Sequence, residues 1–85
     1  MPEICRFFGI VIQMFVNDHA PPHFHATYQR YKAMIEIETG IMRGNLPPRI
    51  RGFVEEWRLI HLKALRSNWE RGVKELEFRK IKPLE

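Results

Sequence analysis

The stretch His23-Phe24-His25-Ala26-Thr27-Tyr28-Gln29-Arg30-Tyr31-Lys32-Ala33-Met34-Ile35-Glu36 decides the fold, because two strand-like runs flank a short polar turn. If the loop at Gln29-Arg30 holds two residues, Tyr28 pairs with Tyr31, and the ladder sets His23 opposite Glu36 and His25 opposite Met34. Side chains two apart on a strand share a face, so His23, His25 and Thr27 point one way while Phe24, Ala26 and Tyr28 point the other. Phe24 and Tyr28 are therefore expected in the core, and Glu36 and Glu38 on the histidine face.

Working outward, residues 4–16 read as one strand with a bulge or bend at Gly9. It is apolar on both faces and therefore expected to be central. Asn17-Asp18 supplies turn chemistry, and Pro21-Pro22 cannot donate to a central ladder. Thr39-Gly40 makes a second turn before a short return strand, Ile41-Met42-Arg43, closed by Gly44-Asn45. After Pro47-Pro48 the period changes from two to 3.6, with Ile50, Phe53, Val54, Trp57, Ile60, His61, Ala64 and Leu65 on one stripe. Ser67-Asn68 reads as a kink or an N-cap for a shorter stretch bearing Trp69, Val73 and Leu76, and Phe78 to Leu84 as an edge strand. The expected fold is α+β: an antiparallel meander of three to four strands covered by one long amphipathic helix and a shorter C-terminal helix. Residues 1–85 form one domain, with the meander at about 3–44 and the helical half at about 47–77.

At 85 residues, 45% of them hydrophobic, the chain supports one packed core and is not a disordered segment. A core of that size supplies only about 3–5 kcal/mol, and small proteins add disulfides, a metal or a second subunit. Cys5 is the only cysteine, which closes the first route and leaves homo-oligomerisation or a bound partner open. Cys5 itself reads as a small buried apolar residue. Neither a signal peptide nor a membrane span is expected, since Gln13 interrupts the longest apolar run, and a lone cysteine fits a reducing cytoplasm. The net charge of +4 is uneven: three Lys/Arg face four Asp/Glu through Met42, and eleven face six from Arg43 onward. That excess points to an anionic partner, RNA, DNA or an acidic protein, or else to a solvated helix face.

The chemically distinctive segment is Asp18-His19-Ala20-Pro21-Pro22-His23-Phe24-His25. A His-x-His pair on a strand with a third histidine from the adjoining loop can ligate zinc, nickel or iron, which gives His19, His23, His25 and Glu36 as a candidate metal set. Two imidazoles near one substrate can equally serve as general acid and base, with Asp18 and His19 beside them and no cofactor required. In a purely structural reading the imidazoles brace the proline loop against the sheet. His61, on the apolar stripe, reads as a hydrogen-bonded core or edge residue, and Trp57 and Trp69 as packing residues. No phosphate-binding glycine loop, nucleophile elbow or cysteine cluster is present.

Asp18-His19 with Pro21-Pro22-His23-Phe24-His25-Ala26 carries a resemblance, together with the opening Met1-Pro2-Glu3-Ile4 and the Phe8-Gly9-Ile10 strand. Ile37-Glu38-Thr39-Gly40, Gly44-Asn45-Leu46-Pro47, the Trp57 helix and the closing Ile81-Lys82-Pro83-Leu84 extend it over nearly the whole chain. The sequence resembles the prokaryotic family called domain of unknown function 4160, whose signature is Asp-His-x-Pro-Pro-His-x-His. The resemblance implies a small stand-alone protein often encoded beside another family, domain of unknown function 2442, in what looks like a toxin and antitoxin pair. It brings no reaction, but marks Asp18, His19, His23 and His25 as the functional face.

The leading expectation is thus a component of a toxin–antitoxin-like module that acts on RNA or binds a small antitoxin-like protein. His23 and His25 are its acid/base candidates, and Arg49, Arg51, Arg58, Lys63 and Arg66 its phosphate contacts. The alternative is a metal-binding or structural interaction module.

Overall fold

The structure is a computed structural model that describes residues 2–85; Met1, first of the opening residues quoted above, lies outside them. Five strands, β1 (Glu3–Phe7), β2 (Ile10–Gln13), β3 (His23–Tyr28), β4 (Tyr31–Glu36) and β5 (Met42–Gly44), form an antiparallel sheet in chain order. The expected count of three to four falls short because residues 4–16 are not one central strand. Phe8 and Gly9 both have positive φ, 51° and 79°, and pair Phe7 with Ile10 in the pattern of a type I′ turn. The bend expected at Gly9 is a complete reversal, which makes β1 an edge strand. Phenylalanine rarely adopts positive φ, so the sequence gives little warning of it.

The second hairpin has the expected register. Tyr28 pairs with Tyr31, His25 with Met34 and His23 with Glu36. Gln29, with φ 53°, is the turn residue that makes a two-residue loop match the right-handed strand twist. Alternation then separates the two faces of the sheet. Ile10, Ile12, Phe24, Ala26 and Ile35 are buried beneath the helices, whereas Val11, Gln13, His25, Thr27 and Met34 are only partly covered.

The helical layer is α1 (Pro48–Ile60) followed by α2 (Leu62–Val73), of 13 and 12 residues, not one long helix and a shorter one. The chain breaks at His61, not at Ser67-Asn68. A straight helix over residues 48–73 would run about 39 Å at 1.5 Å per residue, longer than the 34 Å maximum extent of the protein. The break keeps both halves on the core; Ile60, expected on the apolar stripe, is 60% exposed there. Helix α2 ends in a Schellman motif, with Leu76 N–H donating to Arg71 C=O, Glu75 N–H to Gly72 C=O, and Glu75 at φ 58°.

Asn68, expected at a kink, is 1% exposed within α2, where its amide donates to Arg79 C=O and accepts Arg79 N–H, both at 2.9 Å. This pair of bonds holds the C-terminal segment, which is not the expected edge strand. Its ladder to β1 consists of Ile81 N–H donating to Ile4 C=O, and Pro83 has no N–H to continue it. The segment is fastened instead by Trp57 Nε1 donating to Lys82 C=O at 2.8 Å and by burial of Ile81 and Leu84.

Replacing Asn68 by alanine strands two backbone groups of Arg79 at a part-buried site and should lower unfolding free energy by about 1–2 kcal/mol. Urea denaturation measures this, and a change below about 0.5 kcal/mol would show that the segment needs no such anchor.

Candidate functional site

The segment that carries Asp18 leaves β2 and crosses the end of the sheet to α2. Asn17, at φ 56°, donates its N–H to Gly72 C=O at 3.2 Å. Gly72 also makes room for the C-terminal segment, since a Cβ there would stand 2.9 Å from the Phe78 ring. Pro22 lies across from Ile37 and needs no donor of its own, because its carbonyl accepts Ile37 N–H at 3.0 Å. The chain thus enters β3 with its first residue, His23, at the rim of the open sheet face.

Asp18 is the hub. One carboxylate oxygen, Oδ1, accepts His19 N–H at 2.9 Å and lies 3.1 Å from His19 Nδ1. The other, Oδ2, lies 2.9 Å from His23 Nε2 and 3.4 Å from His25 Nε2. Burial raises the Asp18 pKa, but the His19 amide and the imidazoles of His25 and His23 outweigh it and hold the carboxyl below its ordinary value.

His23 is 2% exposed, with its ring 5.3 Å from that of Trp69 and 5.1 Å from that of His25. Its Nδ1 donates to Pro21 C=O at 2.7 Å. In neutral imidazole that bond leaves Nε2 as a bare lone pair. Asp18 Oδ2 stands at ion-pairing distance, 2.9 Å, and among the described residues this buried nitrogen makes no hydrogen bond. A lone pair beside a carboxylate is repulsive, and only a positive charge between or upon them makes the arrangement favourable.

Among the described residues, Asp18, His23 and His25 bring their ligand atoms within 4.8 Å of one another. The cluster is closed on the His23 side and open on the other, where the His25 and His19 side chains are 32% and 80% exposed. Two members of the expected metal set do not converge. Glu36 stands across the ladder from His23, but its carboxylate accepts the Thr39 hydroxyl at 2.9 Å and faces Arg43 at 3.9 Å. His19 faces the outer oxygen of Asp18 instead. The acid/base reading loses His23 as a group in contact with substrate, because its ring is enclosed.

The helical cations fare differently from one another. Arg58 is a buried structural residue, donating to Ile37 C=O at 2.6 Å and twice to the Glu55 carboxylate. Arg66 forms a two-pronged bond with Glu38 at 2.7 Å. Arg49 lies over the Phe53 ring, and Arg51 and Lys63 are exposed. None of these residues lines the groove that holds His25. The cations beside His25 are Lys32 and Arg43, which line a groove of about 430 Å³ with His25, Phe15 and Met34. The alternation that placed His25 also placed Met34 on this face, and Met34 pairs with Arg43. His61 stays outside the cluster, its ring against Trp57 and its pKa held below the ordinary value by burial and then by the Lys82 charge.

A family model described as Domain of unknown function (DUF4160) matches residues 9–70, a span that contains the whole Asp18–His25 cluster. No curated protein and no solved structure matches the chain. No helix among the described residues is long and apolar enough to cross a membrane.

Two measurements check these placements. His23→Ala should cost about 2–4 kcal/mol of stability by emptying a buried site, while His19→Ala should stay within about 0.5 kcal/mol. Equal effects would mean that His23 is not enclosed. The second concerns Glu55, whose carboxyl is held below its ordinary value by hydrogen bonding to Arg58, against the effect of burial. A carboxyl depressed on folding contributes its stability fully above the unfolded value and loses it as pH falls through the folded one. Denaturant midpoints should therefore drop more steeply below about pH 4.5 in wild type than in Glu55→Gln, and parallel curves would contradict the assignment.

Proposed function

The chain belongs to the family called domain of unknown function 4160, which brings no reaction with it, and from the geometry of the cluster we propose a metal-binding protein in which Asp18, His23 and His25 hold one divalent transition ion. The observation that carries this reading is the buried, unpartnered Nε2 of His23 facing the Asp18 carboxylate. An ion there would satisfy the Nε2 lone pair and the carboxylate together. Pro21 C=O, by accepting a hydrogen bond from Nδ1–H, orients the ring and selects the tautomer that a metal requires. The two edges to Asp18 Oδ2, 2.9 and 3.4 Å, are close to the polyhedron edges of about 2.9 and 3.3 Å that metal–nitrogen bonds near 2.05 Å produce. Two imidazoles and one carboxylate suit zinc or iron(II), and nickel less selectively. Three protein ligands leave a position on the exposed side of His25, where the ion can polarise a bound oxygen or activate water.

A second reading makes the chain a component of a toxin–antitoxin-like module that acts on RNA or binds a small protein partner; the net charge of +4 supports it. In that reading His25, partly exposed and beside Asp18, is the acid/base residue, and growth arrest on expression should disappear with His25→Ala. Arrest by that variant as strong as by wild type would exclude a role for the cluster.

Elemental analysis of protein prepared without a histidine tag, after exposure to zinc, nickel or iron(II), tests the metal reading. One ion per chain is expected, with stabilisation of about 2.7 kcal/mol when free metal is a hundred times its dissociation constant. Asp18→Ala and His25→Ala should abolish both effects, and His19→Ala and Glu36→Gln should preserve them. No bound ion and no rise in Tm with any of the three metals would refute the site.

A further inference from the structure

Beyond Trp69 and the Asp18 segment, which cover its His23 end, the sheet face that bears His25 has no element packed over it among the described residues, and its groove is lined by both aromatic and cationic side chains. Phe15 stands edge-on to His25 at 4.9 Å and, with Met34, supplies an apolar floor beside the open side of the Asp18 cluster. Lys32 and Arg43 supply the rim. His25, Met34 and Arg43 form one row across β3, β4 and β5, so the imidazole and the arginine rise about 10 Å apart with Met34 between them. Arg43 is 69% exposed, and its nearest carboxylate, Glu36, is 3.9 Å away, beyond hydrogen-bonding reach. Its guanidinium therefore keeps its paired donors available for an oxyanion. Lys32, opposite Thr27, is exposed on the neighbouring row. The acidic groups nearest this surface are Glu36, committed to Thr39, and Asp18, committed to the histidines.

Cationic rim, aromatic floor and an oxygen-binding position at one end suit a polyanion whose flat apolar groups are free to lie down. We propose that this groove binds a phosphodiester segment of single-stranded nucleic acid, with phosphates at Arg43 and Lys32 and a base against Phe15 and Met34. A duplex is disfavoured, because its bases are stacked on one another and cannot reach the floor. The metal reading enters at one point: it places a phosphate oxygen at the open coordination position beside His25. The contacts to Lys32, Arg43 and Phe15 are independent of it.

The test is fluorescence anisotropy with short labelled oligouridylate, oligodeoxyuridylate and a duplex of the same length, using protein with and without added zinc. Single strands should bind, with log affinity falling against log salt at a slope of about −0.7 for each phosphate neutralised. The double variant Lys32→Ala/Arg43→Ala should bind about a hundredfold or more weakly and flatten the slope, since each of the two lost charged contacts accounts for about tenfold. Arg49→Ala/Arg51→Ala, on the helical layer, should change affinity less than about twofold. Preference for oligouridylate would assign RNA through its 2′-hydroxyl, and equal binding of both single strands would assign the shared phosphodiester. Duplex bound as tightly as single strand, or a Lys32/Arg43 double variant indistinguishable from wild type, overturns the proposal. Both residues are exposed, so the double variant should unfold at the wild-type Tm and take up metal as wild type does. Loss of metal uptake in wild type refutes the metal site alone, and loss of the oligonucleotide difference refutes the groove alone.

Discussion

The imidazole of His23 is the constraint around which the candidate site is built. One nitrogen is tied to the Pro21 carbonyl, the other faces the Asp18 carboxylate, and the ring is enclosed between His19, His25 and Trp69. A buried polar ring with an unanswered nitrogen is costly in a protein of this size, where total stability is on the order of 5–15 kcal/mol. Such an atom persists when something favourable answers it. A divalent ion answers both the lone pair and the carboxylate at once, which a neighbouring hydrogen-bond donor would do for one of them only.

The rest of the fold holds that ring's surroundings still. Asn17 is fastened to the end of α2 through Gly72, and Pro22 to the end of β4 through Ile37. Arg58 holds the Ile37 carbonyl from the helical side, so the segment beyond β4 is gripped on both faces. The C-terminal segment closes the opposite side of the core by way of Asn68, Trp57 and Ile81. A small core is thus extended by side-chain-to-backbone bonds rather than by disulfides, since Cys5 is single and buried. Arginine is suited to the Arg58 role because its fork satisfies Glu55 and the Ile37 carbonyl together.

Much of this was legible from local periodicity. The hairpin register, the partition of His23 and His25 from Phe24, and the change from sheet to helix at Pro47-Pro48 follow from alternation and turn length, which are local properties. The type I′ turn at Phe8-Gly9 was not legible, because a phenylalanine at positive φ contradicts its own preference and is supported by packing against Phe53 at 5.0 Å. The break at His61 carries no proline or glycine; it follows from helix length against core size, which is a property of the whole molecule.

The sequence by itself determined that a histidine-rich loop runs into a strand, which histidines share a face, and that the chain resembles its family. Tertiary structure alone decided which groups meet. It turned Glu36 toward Thr39 and Arg43, brought Asp18 back seven residues onto His25, enclosed His23, and withdrew Arg58 from solvent. The physical reason is that alternation specifies the direction of a side chain from its own strand. Where a loop carboxylate or a long arginine ends depends on the donors and acceptors that distant segments present to it.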